Sequence, residues 1–147
     1  MTNSEANPTT NSVACSGANS TDDPSKPLCV CVFCGANQGA SPQYREAAEE
    51  LAKLFSRKSW NLIYGGGTVG LMGAIASTLV SLSGPDSVHG IIPHALIEYE
   101  QDGVIPPISI FGKTTVVDDM HTRKAMMGRE SNAFIALPGG FGTMEEL

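Results

Sequence analysis

Basic residues are scarce in this chain: nine Lys and Arg stand against 15 Asp and Glu, for a formal net charge of −6. A chain of that balance offers no basic groove for a nucleic acid, so none is expected as a partner. No run approaches the ~18 consecutive apolar residues of a membrane span, and the N-terminus lacks the basic start and apolar centre of a secretory signal. Neither membrane nor secretion is expected, and the cytoplasm is the expected compartment. Cysteine is also thin. Three of the four, Cys29, Cys31 and Cys34, spell C-x-C-x-x-C, a spacing that invites a metal or redox reading, but no second ligand cluster faces it. Cys29 and Cys31 read as small apolar side chains alternating with Val30 and Val32 in a strand.

What is present describes one α/β domain. The 147 residues suffice for a single substantial core, and 41% hydrophobic residues with 16 glycines suit many tight strand-to-helix turns. Residues 1–27 are rich in Asn, Ser, Thr, Asp and Pro with almost nothing to bury, which predicts a disordered tail. The domain is expected over 28–147. Leu28 to Phe33 reads as the first strand, and Ser41 with Pro42 as a helix start. Tyr44, Ala47, Ala48, Leu51, Leu54 and Phe55 give that helix one apolar face. Trp60 to Tyr64 reads as the second strand. It runs into GGGTVGLMG, which fits G-x-G-x-x-G from Gly65 to Gly70, a weak dinucleotide signal without an acidic residue about twenty positions on. A second glycine-rich wall for a mononucleotide is the alternative, with tight helix-on-strand packing also open for Gly70 and Gly73. A helix over Leu71 to Leu82 and a strand over Val88 to Ile92 follow. Ile97 to Ile105 reads as a polar loop, and Ile108 to Phe111 and Thr115 to Val117 as short extended pieces. Asp118 or Asp119 caps a helix in which Met120, Arg123, Lys124 and Met127 share a face. Basic side chains beside methionines there read either as site residues or as a snorkelling, solvent-facing pair.

The last stretch, NAFIALPGGFGTMEEL, organises the rest. Ala133 to Leu137 reads as a buried strand of a parallel sheet, and Gly139, Gly140, Phe141, Gly142 and Thr143 as a loop leading to a helix start at Met144, Glu145 and Glu146. Glycines that allow close backbone approach, followed by free helix N–H groups, make an anion site, with phosphate the expected guest. Thr143-x-x-Glu146 is also a capping box, so Glu146 has a structural reading beside its functional one. Strands alternating with helices predict a doubly wound parallel sheet, Rossmann-like and nucleotide-binding, with its ligand outside the carboxyl ends of the strands.

In that order, GGGTVGLMGAIA, GIIPHAL, DMHTRKAMM and FIALPGGFGTMEEL resemble the LOG family of cytokinin-activating phosphoribohydrolases, often labelled lysine decarboxylases. The resemblance covers Leu28 to Leu147. It implies cleavage of the N-glycosidic bond of an N6-prenylated adenosine 5′-monophosphate, and possible use of AMP, to give free base and ribose 5-phosphate, with no metal and no cofactor, in a homodimer. Carried over by position, Arg123 and Glu146 are the implied catalytic pair. Glu100, Arg123, Lys124, Gly139, Gly140, Phe141, Gly142, Thr143, Met144 and Glu145 are the implied substrate contacts. Family members continue past the point matching Leu147 with a further helix, a strand and a late threonine contact, so the site of this chain is expected to be incomplete at that end. His121 is a candidate proton donor to the leaving base, with local packing as its other reading. A noncatalytic nucleotide-binding module of the same fold is the alternative function. Lysine decarboxylation would require pyridoxal phosphate on a suitably pocketed lysine, a setting that Lys113 and Lys124 do not suggest.

Overall fold

The computed structural model describes residues 26–35 and 42–137. Most of the expected tail, the turn containing Ser41 and the loop from Pro138 to Leu147 lie outside those residues.

Five strands form one all-parallel sheet in the order β4-β3-β2-β1-β5. They are β1 (Cys29–Phe33), β2 (Asn61–Tyr64), β3 (Val88–Pro93), β4 (Lys113–Val117) and β5 (Ala133–Ala136). Every residue of β1 is buried, which a strand tolerates only where both faces of its sheet are covered. The two covers are distinct. On one face lie α1 (Pro42–Lys58) and α2 (Gly70–Ser83), whose Ala48, Phe55, Leu71, Ile75 and Leu79 pack with Val30, Val32, Leu62 and Tyr64. On the other lies α5 (Met120–Glu130), whose Met127 packs with Cys29, Cys31, Phe33, Ile63 and Ile91. Cys29 and Cys31 lie on the α5 face, Cys31 as a free buried thiol and Cys29, against expectation, in a disulfide, while Val30 and Val32 face the other way, as alternation requires.

Connections from β1 through β4 step in one direction across the sheet, whereas the connection through α5 returns to the far side of β1. That reversal makes the arrangement doubly wound, with the switch point at β1. Register is continuous across it: Cys31 pairs with Ile63 on one side and Phe134 on the other.

Several expected details differ. The buried face of α1 is Ala48, Ala52 and Phe55; Tyr44 is 37% exposed, like the rest of residues 42–47. Ile97 to Ile105 is not a loop: α3 (His94–Gln101) occupies most of it, ended by Asp102 at φ 52° and Gly103 at φ 76°. Ile108 to Phe111 is not extended but one helical turn, α4, closed by the Phe111 N–H donating to the Pro107 carbonyl at 3.0 Å. β5 is a strand as expected, yet it is not fully buried. It forms the sheet edge, and Phe134 is 52% exposed while stacking on Phe33 with ring centroids 5.9 Å apart.

Candidate functional site

In a doubly wound sheet, the helix N-termini and loops gather at the carboxyl ends of the strands, and the switch point leaves a crevice there. β2, β1 and β5 are neighbours, so the two segments expected to carry glycine loops, after β2 and after β5, leave the sheet on either side of β1. β5 is carried to that end by the Leu137 N–H donating to the Phe33 carbonyl at 2.8 Å.

The best-defined side chain at this end is Arg123. Asp119 caps α5, its carboxylate accepting from the Thr122 N–H at 2.7 Å; that hydrogen bond holds its carboxyl below the usual carboxylate range. One turn later Arg123 points into the sheet and is only 5% exposed. Its Nε donates to the Ile91 carbonyl at 3.0 Å and its Nη2 to the Gly65 carbonyl at 2.6 Å. Nη1 approaches Met120 Sδ at 3.5 Å. Arg123 is thus no snorkelling surface residue. A planar guanidinium with fixed donors suits this task, spanning the ends of two adjacent strands in one grip. Lys124, next on α5, is half-buried, and His121 is exposed at the helix start.

Gly65, Gly66 and Gly67 are all buried. A Cβ on Gly65 would collide with the Arg123 guanidinium, so the close approach of α5 requires glycine there. Gly66 has φ 82°, and a Cβ on it would lie 2.9 Å from Ile92 Cβ, so both backbone and space exclude other residues. Gly73 is a packing glycine, because a Cβ there would meet the Thr68 carbonyl. Beneath the loop, the Tyr64 hydroxyl donates to the Phe111 carbonyl at 3.4 Å, and burial pushes its pKa well above the ordinary tyrosine value.

Two polar features had no signal in the sequence. Gln101, the last residue of α3, donates from Nε2 to the Gly66 carbonyl at 3.3 Å. His89 is buried beneath α5, its Nδ1 3.0 Å from Glu130 Oε1 and its Nε2 2.7 Å from Thr115 Oγ1, so the helix that carries Arg123 is tied down at its far end also. Glu100 lies in α3 beside Gln101. Gly139, Gly140, Phe141, Gly142, Thr143, Met144, Glu145 and Glu146 fall outside the described residues. An open cavity of about 980 Å³ lies at the opposite, amino end of β1 and β2, among Leu28, Ser56, Trp60 and Ser87, away from the end where such sheets bind ligands.

A family model described as possible lysine decarboxylase matches residues 72–147. The chain is 50% identical over 133 residues to a bifunctional cytokinin biosynthesis protein of Fusarium pseudograminearum, covering 83% of this chain and 27% of that protein. It is 49% identical over 118 residues to a probable cytokinin riboside 5′-monophosphate phosphoribohydrolase of Oryza sativa subsp. japonica, covering 80% of this chain and 50% of the rice protein. The chain therefore spans half or less of the length of these two relatives. Among solved structures, the Moco carrier protein of Chlamydomonas reinhardtii is similar with a TM-score of 0.63 at 21% identity, over 82% of this chain and 68% of that one; this likeness concerns the fold alone. No helix among the described residues is long and apolar enough to cross a membrane.

Proposed function

The chain belongs to the LOG family, whose family model is described as possible lysine decarboxylase, and from that premise we propose that it is a phosphoribohydrolase acting on N6-prenylated adenosine 5′-monophosphate. Water adds to C1′ of the ribose, the bond from C1′ to the purine nitrogen breaks, and the base leaves with a proton as ribose 5-phosphate forms. The observation that carries this reading is Arg123 seated against Gly65, 58 positions away in sequence, at the carboxyl ends of β2 and β3. That contact joins the basic pair of α5 to the glycine loop beside the switch point.

Charge develops on the sugar as the bond breaks, as in glycoside hydrolysis, so a carboxylate is needed near C1′. We assign that role to Glu146, whose ionised form is favoured at the start of a helix. Gly139, Gly140, Phe141, Gly142 and Thr143, with Met144 and Glu145, form the phosphate loop in this reading. Lys124 adds positive charge near it, and Glu100 contacts the nucleotide from α3. Arg123 belongs to the same catalytic set, and fixes one wall of the site by holding the Ile91 and Gly65 carbonyls. The working form is a cytoplasmic homodimer that uses no cofactor.

Lysine decarboxylation is not supported by the lysines. Its pyridoxal phosphate needs a lysine inside a pocket, whereas Lys26, Lys53, Lys58 and Lys113 are exposed and Lys124 is only half-buried on α5. Incubating the complete protein with N6-isopentenyladenosine 5′-monophosphate, and separately with AMP, followed by chromatography, tests the proposal. Free isopentenyladenine is the expected product. Tight nucleotide binding with no base released would instead identify a binding module.

A further inference from the structure

We propose that Gln101 is a positioning residue for the nucleotide site, resting on the function proposed above: it holds the Gly66 peptide in the orientation that presents backbone N–H groups to an oxygen acceptor of the nucleotide. Two consecutive carbonyls of the loop are gripped by side chains from different elements. Arg123 of α5 takes the Gly65 carbonyl at 2.6 Å, and Gln101 of α3 takes the Gly66 carbonyl at 3.3 Å. The described residues contain no cis peptide, and a trans peptide sets its C=O and N–H antiparallel. Drawing those two carbonyls onto Arg123 and Gln101 therefore turns the Gly66 N–H away from Arg123 and the Gly67 N–H away from Gln101. Gly66 has φ 82°, a backbone region that glycine enters freely, so the peptide can take the orientation that the two grips impose. Carbonyl oxygens facing the same acceptor would repel it, so the grip matters for binding even though Gln101 acts through Gly66.

The amide of Gln101 is held there for its donor. Its Oε1 is buried with no hydrogen-bond partner among the described residues, so the donor is what ties this side chain to the loop. An apolar side chain of the same length would lose the grip and take the side-chain donor from the buried Gly66 carbonyl. KM is predicted to rise while kcat holds, a split that a purely structural glutamine would not produce.

The test measures steady-state hydrolysis of N6-isopentenyladenosine 5′-monophosphate by the complete protein and its Gln101→Met, Gln101→Glu and Gln101→Lys variants, with thermal melting of each. Gln101→Met is expected to raise KM about tenfold with kcat within about twofold of wild type and only a small fall in Tm. Gln101→Glu, which puts an oxygen against the Gly66 carbonyl, should raise KM further. Gln101→Lys restores a donor and should return KM to within about threefold of wild type. Inhibition by adenosine locates the acceptor: a parallel loss of adenosine affinity in Gln101→Met places it on the ribose, an unchanged affinity on the phosphate. A wild-type KM in Gln101→Met, or an equal rise in Gln101→Met and Gln101→Lys, overturns the assignment while leaving the enzyme's function intact. A wild-type protein that neither binds nor cleaves the nucleotide overturns the function itself and this inference with it.

Discussion

Arg123 is where the sequence and the site meet most closely. A basic residue on the same helical face as Met127 is out of place on a plain amphipathic helix, and the reason is now physical: its donors satisfy two strand-end carbonyls that would otherwise be left open beside the loop. Gly65 is the counterpart of that side chain. A methyl group in its place would meet the guanidinium, which cannot swing aside without releasing both carbonyls. Gly65→Ala is therefore expected to cost about 1–3 kcal/mol, the usual penalty of overpacking, and to lower kcat/KM as well, measurable by denaturant melts and initial rates on the same preparation. Glu146 carries the chemistry in the proposed reaction. Glu146→Gln, which keeps the Thr-x-x-Gln sequence of a capping box, should lower kcat by about 10²-fold or more while nucleotide affinity stays near wild type. Near-normal turnover would reduce Glu146 to a cap.

Among the elements, those with a strong local pattern were legible. β1 is a continuous apolar run and β2 and β3 are mostly apolar, and α5 begins at an aspartate cap, either of two by sequence and Asp119 in the structure. Two elements were not legible, for identifiable reasons. α3 has eight residues and no side-chain cap, too short for a 3.6-residue period to show against its polar residues, so it read as a loop. Ile108 to Phe111 carries β-branched residues that favour strands, yet Pro107 before it and Gly112 after it allow only one turn of helix. Gln101 was invisible for the same reason as α3, since its partner is a carbonyl brought near by tertiary folding. The Asp119 cap gives a test at this scale. Asp119→Ala should lower Tm and Asp119→Asn should keep most of it, because Asn caps about as well as Asp. The Asp119 pKa is depressed in the folded state, so its electrostatic contribution is present above the unfolded carboxylate value and lost as pH falls through the folded one. The difference in Tm between wild type and Asp119→Asn should accordingly vanish in acid and be present at neutral pH.

At the scale of the whole molecule, topology does the work that no motif does alone. The strand order puts β2, β1 and β5 together, although β5 is separated from β1 in sequence by three strands. The return through α5 that makes this possible is the same helix that presents Arg123 and Lys124. In the proposed reaction a site assembled in this way grips the nucleotide through groups remote from the bond that breaks, and binding energy from such groups is used in the transition state. The 5′-phosphate should therefore be indispensable. The measurement that decides it is kcat/KM of the complete protein for N6-isopentenyladenosine 5′-monophosphate beside that for the nucleoside: a preference of about 10²-fold or more for the monophosphate is predicted, corresponding to about 2.7 kcal/mol at 1.36 kcal/mol per tenfold, and equal values for the two would contradict the account.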